Sequence, residues 1–259
     1  MTEEMTNDEV RKFLSDSGEN ESERAYFDWA VDVDNLPYPS GEVFYASELV
    51  RFIRKLAEAR MKAETERRHN DDAESKLFTH YDRRLFRHIN DIMGCACFPD
   101  LLERKLFPNA KEITESNAVY NAVRWHLPRF SLSDPGNTVV AVGDGHTPRT
   151  AALFAFRTAW NAYSVDPLLR IKDWKTARLH TYPVKIEDEG FHFASPVVIV
   201  AVHSHASLKA TLKHIQSPNR ALVAMPCCKP IDLDVPPDMR YNDPGIWSEK
   251  NEILIWKQI

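Results

Sequence analysis

The stretch "AVGDGHTPRT", Ala141–Thr150, follows the β-branched run Thr138–Val140 and leads into the alanine-rich segment "AALFAF". An apolar run, two glycines two residues apart and then a helix-forming segment read as a strand that turns sharply into a helix. Gly143 and Gly145 let the backbone leave the strand tightly and approach a ligand with no Cβ in the way. Thr147 is placed to cap the helix, with Pro148 at its first position, where the missing N–H costs nothing. The N-terminus of such a helix favours an anionic or polar ligand group.

The next β-rich run ends in "YSVDP", which puts Asp166 about 20 residues beyond the turn. An ionised carboxylate there accepts hydrogen bonds from both hydroxyls of a ribose; the competing reading is a carboxylate that caps the loop before Pro167. Further on, "ARLHTYPV", "VVIVAVHS" and "ALVAMP" are short β-rich runs separated by helical or loop segments. Such continuous apolar strands imply a parallel sheet covered on both faces. The chain closes on "MRYNDPGIW" and "NEILIWKQI" around the polar turn "SEKN", which read as an antiparallel hairpin.

Upstream of the turn-rich junction "SLSDPGN" the pattern is helical. Leu49, Phe52, Ile53, Leu56 and Ala59 share one helical face after a capping Ser47, and Leu77, Tyr81, Leu85, His88, Ile89 and Ile92 share another that stops at Gly94. A third helix is expected over "EITESNAVYNAVRWHL". The expected organisation is an acidic lead-in over 1–46, a helical region over 47–129 and an α/β domain over 130–259, with a mostly parallel sheet ending in an antiparallel hairpin.

The net charge of -5 is uneven, because residues 1–50 carry thirteen acidic side chains against three basic ones. That start reads as a solvated lead-in, with an arm that binds a protein partner as the alternative. No apolar run is long enough to span a membrane, and the start has neither a basic nor an apolar leader segment. The four cysteines lie in two tight pairs, Cys95/Cys97 and Cys227/Cys228, which is not a secreted disulfide framework and points to a reducing, cytoplasmic compartment. Neither spacing is that of the common zinc modules, so no metal is expected.

From about residue 112 onward the chain resembles the class I S-adenosylmethionine-dependent methyltransferases, Rossmann-like proteins with a terminal hairpin of this kind. The resemblance implies that Gly143, Asp144 and Gly145 lie along the methionine end of S-adenosyl-L-methionine and that Asp166 holds its ribose, with Thr147 a further cofactor-binding candidate. Two departures stand out: Ala141 where the family usually has an acidic residue, and Thr147 where it usually has a third glycine. Asp144 is the expected substitute carboxylate for the methionine amine. "VVIVAVHSHASL" and "ALVAMPCC" are similar to strand ends in a group related to RNA-modifying enzymes, which implies an RNA acceptor and matches His203 and Pro226–Cys227–Cys228 to that group's motifs.

Methyl transfer needs an oriented acceptor and, for a poor nucleophile, a base. His203 and His205 stand at a strand's end and are the catalytic candidates, against the plainer reading that one caps a helix and the other offers only its backbone. Cys227 after a proline is similar to the nucleophile of cytosine-C5 methyltransferases, though in another context. Arg83, Arg84, Arg87 and other basic residues of the helical region, interleaved with aromatics, suit RNA binding, or else form a solvated helix face together with the acidic residues among them. Two alternatives have other functions: a nicotinamide-dependent oxidoreductase, and a degenerate methyltransferase fold acting as a structural or assembly subunit.

Overall fold

The computed structural model describes residues 87–170, 173, 174, 176–228 and 230–259. The acidic lead-in, the helix expected from Ser47 and most of the next one lie outside the described residues. The described residues fall into two compact units: one takes in residues 87–114 together with Pro244–Trp247, the other Glu115–Asp243 and Ser248–Ile259.

In the first unit, α1 (Arg87–Met93) ends at Gly94 as its sequence predicts, and α2 (Phe98–Glu103) carries a proline in its first turn, where no donor is lost. Ile89, Ile92, Phe98, Leu101 and Leu106 are fully buried. The backbone N–H of Trp247 donates to the Thr114 hydroxyl at 3.0 Å, which ties the 244–247 segment to the start of α3 (Ala110–His126).

The second unit is built on a seven-stranded sheet. Its central strands β1 (Thr138–Val142) and β5 (Val197–Val202) are buried at every position, the signature of a parallel strand covered on both faces. β2 (Asn161–Val165) pairs parallel with β1, β3 (Leu179–Tyr182) with β2, and β7 (Arg220–Met225) with β5. β9 (Glu252–Trp256) lies antiparallel to β7, and β8 (Met239–Asn242) antiparallel to β9. The order is β3-β2-β1-β5-β7-β9-β8, a Rossmann-like, mostly parallel sheet closed by an antiparallel hairpin, as the strand pattern predicts. β8 alternates between half-buried and exposed positions, as an edge strand does.

Val140, Val142, Ile199, Ala201, Leu222, Ala224, Leu254 and Trp256 belong to the core on one side of the sheet. α4 (Arg149–Arg157) packs on β1 and β2, with Ala151, Ala152 and Ala155 buried, their small side chains permitting close approach. From Glu115 onward α3 meets α4 through polar and aromatic interactions. Ser116 and Thr150 share a buried hydrogen bond of 3.0 Å, and the Arg157 guanidinium lies 4.0 Å from the centre of the Tyr120 ring while donating to Asn117 at 2.6 Å. α5 (Leu208–His214) starts at Ser207, whose hydroxyl accepts the Ala210 N–H at 2.9 Å. Two-residue strands β4 (Phe191–His192) and β6 (Ile215–Gln216) form a separate parallel pair that the sequence pattern did not announce. No helix among the described residues is long and apolar enough to cross a membrane.

Candidate functional site

The chain leaves β1 at the centre of the sheet, runs outward to β3 and returns to β5 on the other side of β1. At such a reversal the connections diverge and open a crevice at the strands' C-terminal ends. The glycine turn stands there. Both glycines hold the left-handed backbone expected of them, Gly143 at φ +81° and Gly145 at φ +79°. Gly143 N–H donates to Val165 at 2.9 Å, and Gly145 N–H donates to an Asp166 carboxylate oxygen at 2.9 Å. The other Asp166 oxygen accepts the Leu168 N–H at 2.7 Å. The carboxylate thus serves the turn and the following loop together, and each oxygen keeps a further acceptor direction.

The turn's own neighbours give Asp144 a role in the fold and correct the expected helix cap. Asp144 is buried, and its carboxylate accepts the Thr150 and Ala151 backbone N–H groups at 3.0 and 3.1 Å and the Ser164 hydroxyl at 2.9 Å. It therefore caps α4 and ties that helix to β2. Thr147 is not the cap: α4 begins at Arg149, Pro148 precedes it, and no side chain of the residue before the helix bonds its amides. The local rule that places threonine at a helix start loses here to a better acceptor supplied by the turn itself.

The space beside each glycine is also used by the protein. A Cβ on Gly143 would stand 2.4 Å from the Ser204 hydroxyl oxygen and 2.9 Å from its Cα, so the bare glycine lets the exits of β1 and β5 touch. A Cβ on Gly145 would meet the end of the Arg149 guanidinium at 2.9 Å. That guanidinium donates to the Asp144 carbonyl and belongs to a long, flexible side chain, so it can swing aside where Ser204 cannot.

His203 and His205 point to different partners. His203 adopts left-handed backbone, φ +49°, at the end of β5, and its N–H donates to Met225 at 2.8 Å. Its Nε2 lies 3.0 Å from Glu115, a carboxylate that is buried on α3. With Nε2 protonated toward Glu115, the lone pair sits on Nδ1, which is buried and has no hydrogen-bond partner among the described residues. His205, two residues on, is exposed, and its Nε2 lies 3.4 Å from the Cys228 sulfur. Cys227 and Cys228 approach to 3.4 Å between sulfurs.

Beside these groups a cavity of about 250 Å³ opens at the ends of β5 and β7, with His205, Ser207, Pro226, Cys227, Ile231 and Asp232 in its wall. Asp232 accepts the Leu208 N–H at 3.0 Å and the Ser207 hydroxyl, fixing the start of α5. Partial burial opposes its charge, but the hydrogen bonds from Ser207 and from the backbone of Lys209, Leu208 and Asp232 outweigh it and hold the carboxyl below its ordinary value. A depressed carboxyl stabilises the fold fully above the unfolded-chain value and loses that contribution as the pH falls through the lowered folded value. The urea midpoints of the native protein and Asp232→Asn should therefore differ at neutral pH and converge at acid pH, once the pH has fallen through the lowered folded value. A constant gap from neutral pH down through that value would exclude the linkage.

Glu115 and the proximity of His205 to the paired cysteines were not foreseen from sequence. Glu115 stands among Thr114, Ser116 and Asn117, so no apolar run marked it as buried, although all four are buried in the fold. For the second there was no local signal, because the donors come from two different strand exits.

No protein-family model matches the chain, and no curated protein matches it. Among solved structures it is similar to a cyclopropane-fatty-acyl-phospholipid synthase-like protein from Lactobacillus casei ATCC 334, with 12% identity over 51% of this chain and 52% of that chain and a TM-score of 0.29. The match spans about half the length of each protein. At that level of likeness the fold assignment rests on the strand order itself.

Proposed function

We propose that the protein is a methyltransferase that binds S-adenosyl-L-methionine at the Gly143–Gly145 turn and Asp166. The observation that carries this reading is the 2.9 Å hydrogen bond from Gly145 N–H to Asp166, which joins the glycine turn to the terminal acid of β2 beside the β1/β5 reversal. The remaining acceptor directions of Asp166 suit ribose hydroxyls, and Arg149 would swing off Gly145 to admit the ligand. The cofactor supplies a methyl group on a sulfonium, a strong electrophile. Of the two histidines, His203 is the base we assign: Glu115 orients its ring and would stabilise the imidazolium once Nδ1 takes a proton. Nδ1 is buried, so the transfer requires a local opening that brings the acceptor against it. The acceptor we assign is RNA, on the similarity of the β5 and β7 ends to the RNA-modifying group, with the 250 Å³ cavity as its place of entry.

Calorimetric titration with S-adenosylhomocysteine and with NAD tests the assignment. S-adenosylhomocysteine should bind and NAD should not. Asp166→Asn, which keeps one acceptor oxygen for the turn, should weaken binding by about tenfold or more, the value of a charged hydrogen bond. Binding of NAD alone would exclude the reading in favour of an oxidoreductase. Transfer of labelled methyl to RNA rather than to DNA, protein or small molecules would then fix the acceptor.

The second reading, a structural or assembly subunit on the same fold, is favoured by one feature: Ser204 and Arg149 fill the space beside both glycines, and Asp144 is committed to α4. Under that reading neither the native protein nor Arg149→Ala, which clears Gly145, binds S-adenosylhomocysteine.

A further inference from the structure

His205, Cys227 and Cys228 form a cluster to which the proposed function gives no chemical role, although His205 and Cys227 stand in the wall of the cavity where that reading places the acceptor. The three side chains come from two loops, one leaving β5 and one leaving β7, which run parallel and adjacent. The His203 N–H to Met225 bond of 2.8 Å continues that pairing beyond the strands and keeps the two exits together. The Cys228 sulfur lies 3.4 Å from His205 Nε2 and 3.4 Å from the Cys227 sulfur, and all three donor atoms fall within 4.8 Å of one another.

We propose that His205 Nε2 and the Cys227 and Cys228 thiolates bind a zinc ion, with a fourth position open toward the adjoining cavity. Zinc takes imidazole nitrogen at about 2.0–2.1 Å and thiolate sulfur at about 2.3 Å in tetrahedral geometry, which separates its ligand atoms by about 3.5–3.8 Å. The two 3.4 Å separations meet that requirement with side-chain shifts of a few tenths of an ångström, and the Cys227–His205 pair, within 4.8 Å, would close onto the ion by about an ångström at most. Two soft thiolates and one borderline imidazole exclude magnesium and calcium, which prefer oxygen. His205 and Cys227 both stand in the cavity wall, so a ligand entering the cavity would reach the fourth position. Three protein donors, the number found among the described residues, with one open place is the arrangement of zinc sites that exchange a ligand, whereas a closed structural site has four. Both thiols must lose their protons on binding, so affinity falls as the pH is lowered.

The test is an anaerobic cobalt titration of the reduced, chelator-treated, untagged full chain. Cobalt(II) should bind with a single-equivalent end point, show a thiolate-to-metal charge-transfer band together with the intense visible bands of a four-coordinate ion, and be displaced by zinc. His205→Ala and Cys228→Ser should each abolish these bands. Cys95→Ser/Cys97→Ser, which alters the thiols of the other unit, should leave them intact. The altered side chains His205 and Cys228 are exposed, and a far-ultraviolet circular dichroism spectrum confirms that each variant is folded. Absence of the bands in the native protein, their survival in both His205→Ala and Cys228→Ser, or their loss in Cys95→Ser/Cys97→Ser would overturn the assignment.

Discussion

Replacing Asp144 by alanine is expected to lower the unfolding free energy by about 2–4 kcal/mol, from a lost helix cap plus stranded buried donors. The carboxylate is 3% exposed and takes three hydrogen bonds, from the Thr150 and Ala151 backbone and from Ser164. Alanine would leave two first-turn amides of α4 and a buried hydroxyl with nothing to donate to, in a place water does not reach. Asp144→Asn keeps one carbonyl acceptor and should cost roughly half as much. Ser164→Ala removes a donor instead of stranding one, and should cost about 1 kcal/mol or less. Urea unfolding at neutral pH compares the three. An Asp144→Ala protein within about 0.5 kcal/mol of the native one would show that the carboxylate is not the cap.

Gly143→Ala is expected to cost about 3 kcal/mol, from two sources that can be separated. Left-handed backbone costs an L-residue with a Cβ about 1–2 kcal/mol, and forcing an atom into filled space costs about 1–3 kcal/mol more. At φ +81° the added Cβ would stand 2.4 Å from the Ser204 hydroxyl oxygen, 2.7 Å from its Cβ and 2.9 Å from its Cα. In the double variant Gly143→Ala/Ser204→Gly the side-chain clash is gone, but the crowding against the main chain at position 204 and the cost of the left-handed backbone remain. About 1 kcal/mol should return, as a coupling between the two sites. Complete recovery would mean that the backbone is not strained; no recovery would mean that Ser204 does not fill the space. Gly145→Ala is the internal comparison. Its φ is +79° and its neighbour is the far end of the long Arg149 side chain, so the backbone cost of about 1–2 kcal/mol should dominate. Both glycine substitutions act on the fold, so a loss of ligand binding in either would have to be read beside its stability.

The features legible in the amino-acid sequence are those governed by neighbours along the chain. β1 and β5 are runs of β-branched and small apolar residues, and their burial at every position follows from composition alone. The left-handed turn followed from two glycines between a strand and a helix, and the closing hairpin from two β-rich segments around a polar turn. The tertiary structure decided which partner each polar group found. Asp144 had three available roles, toward solvent, toward a ligand or toward its own helix, and Ser164, twenty residues away on β2, helped to settle the third. Glu115 and His203 are 88 residues apart and meet because α3 and the end of β5 come together within the second unit. His205 and Cys228 are 23 residues apart and meet because β5 and β7 are adjacent in the sheet. The two-residue strands β4 and β6 exist only because the second unit brings them side by side. Propensity, periodicity and turn chemistry act over a few residues and can be read in order, whereas a buried carboxylate, imidazole or thiol is assigned its partner by whichever distant segment the closed sheet places within about 3 Å of it.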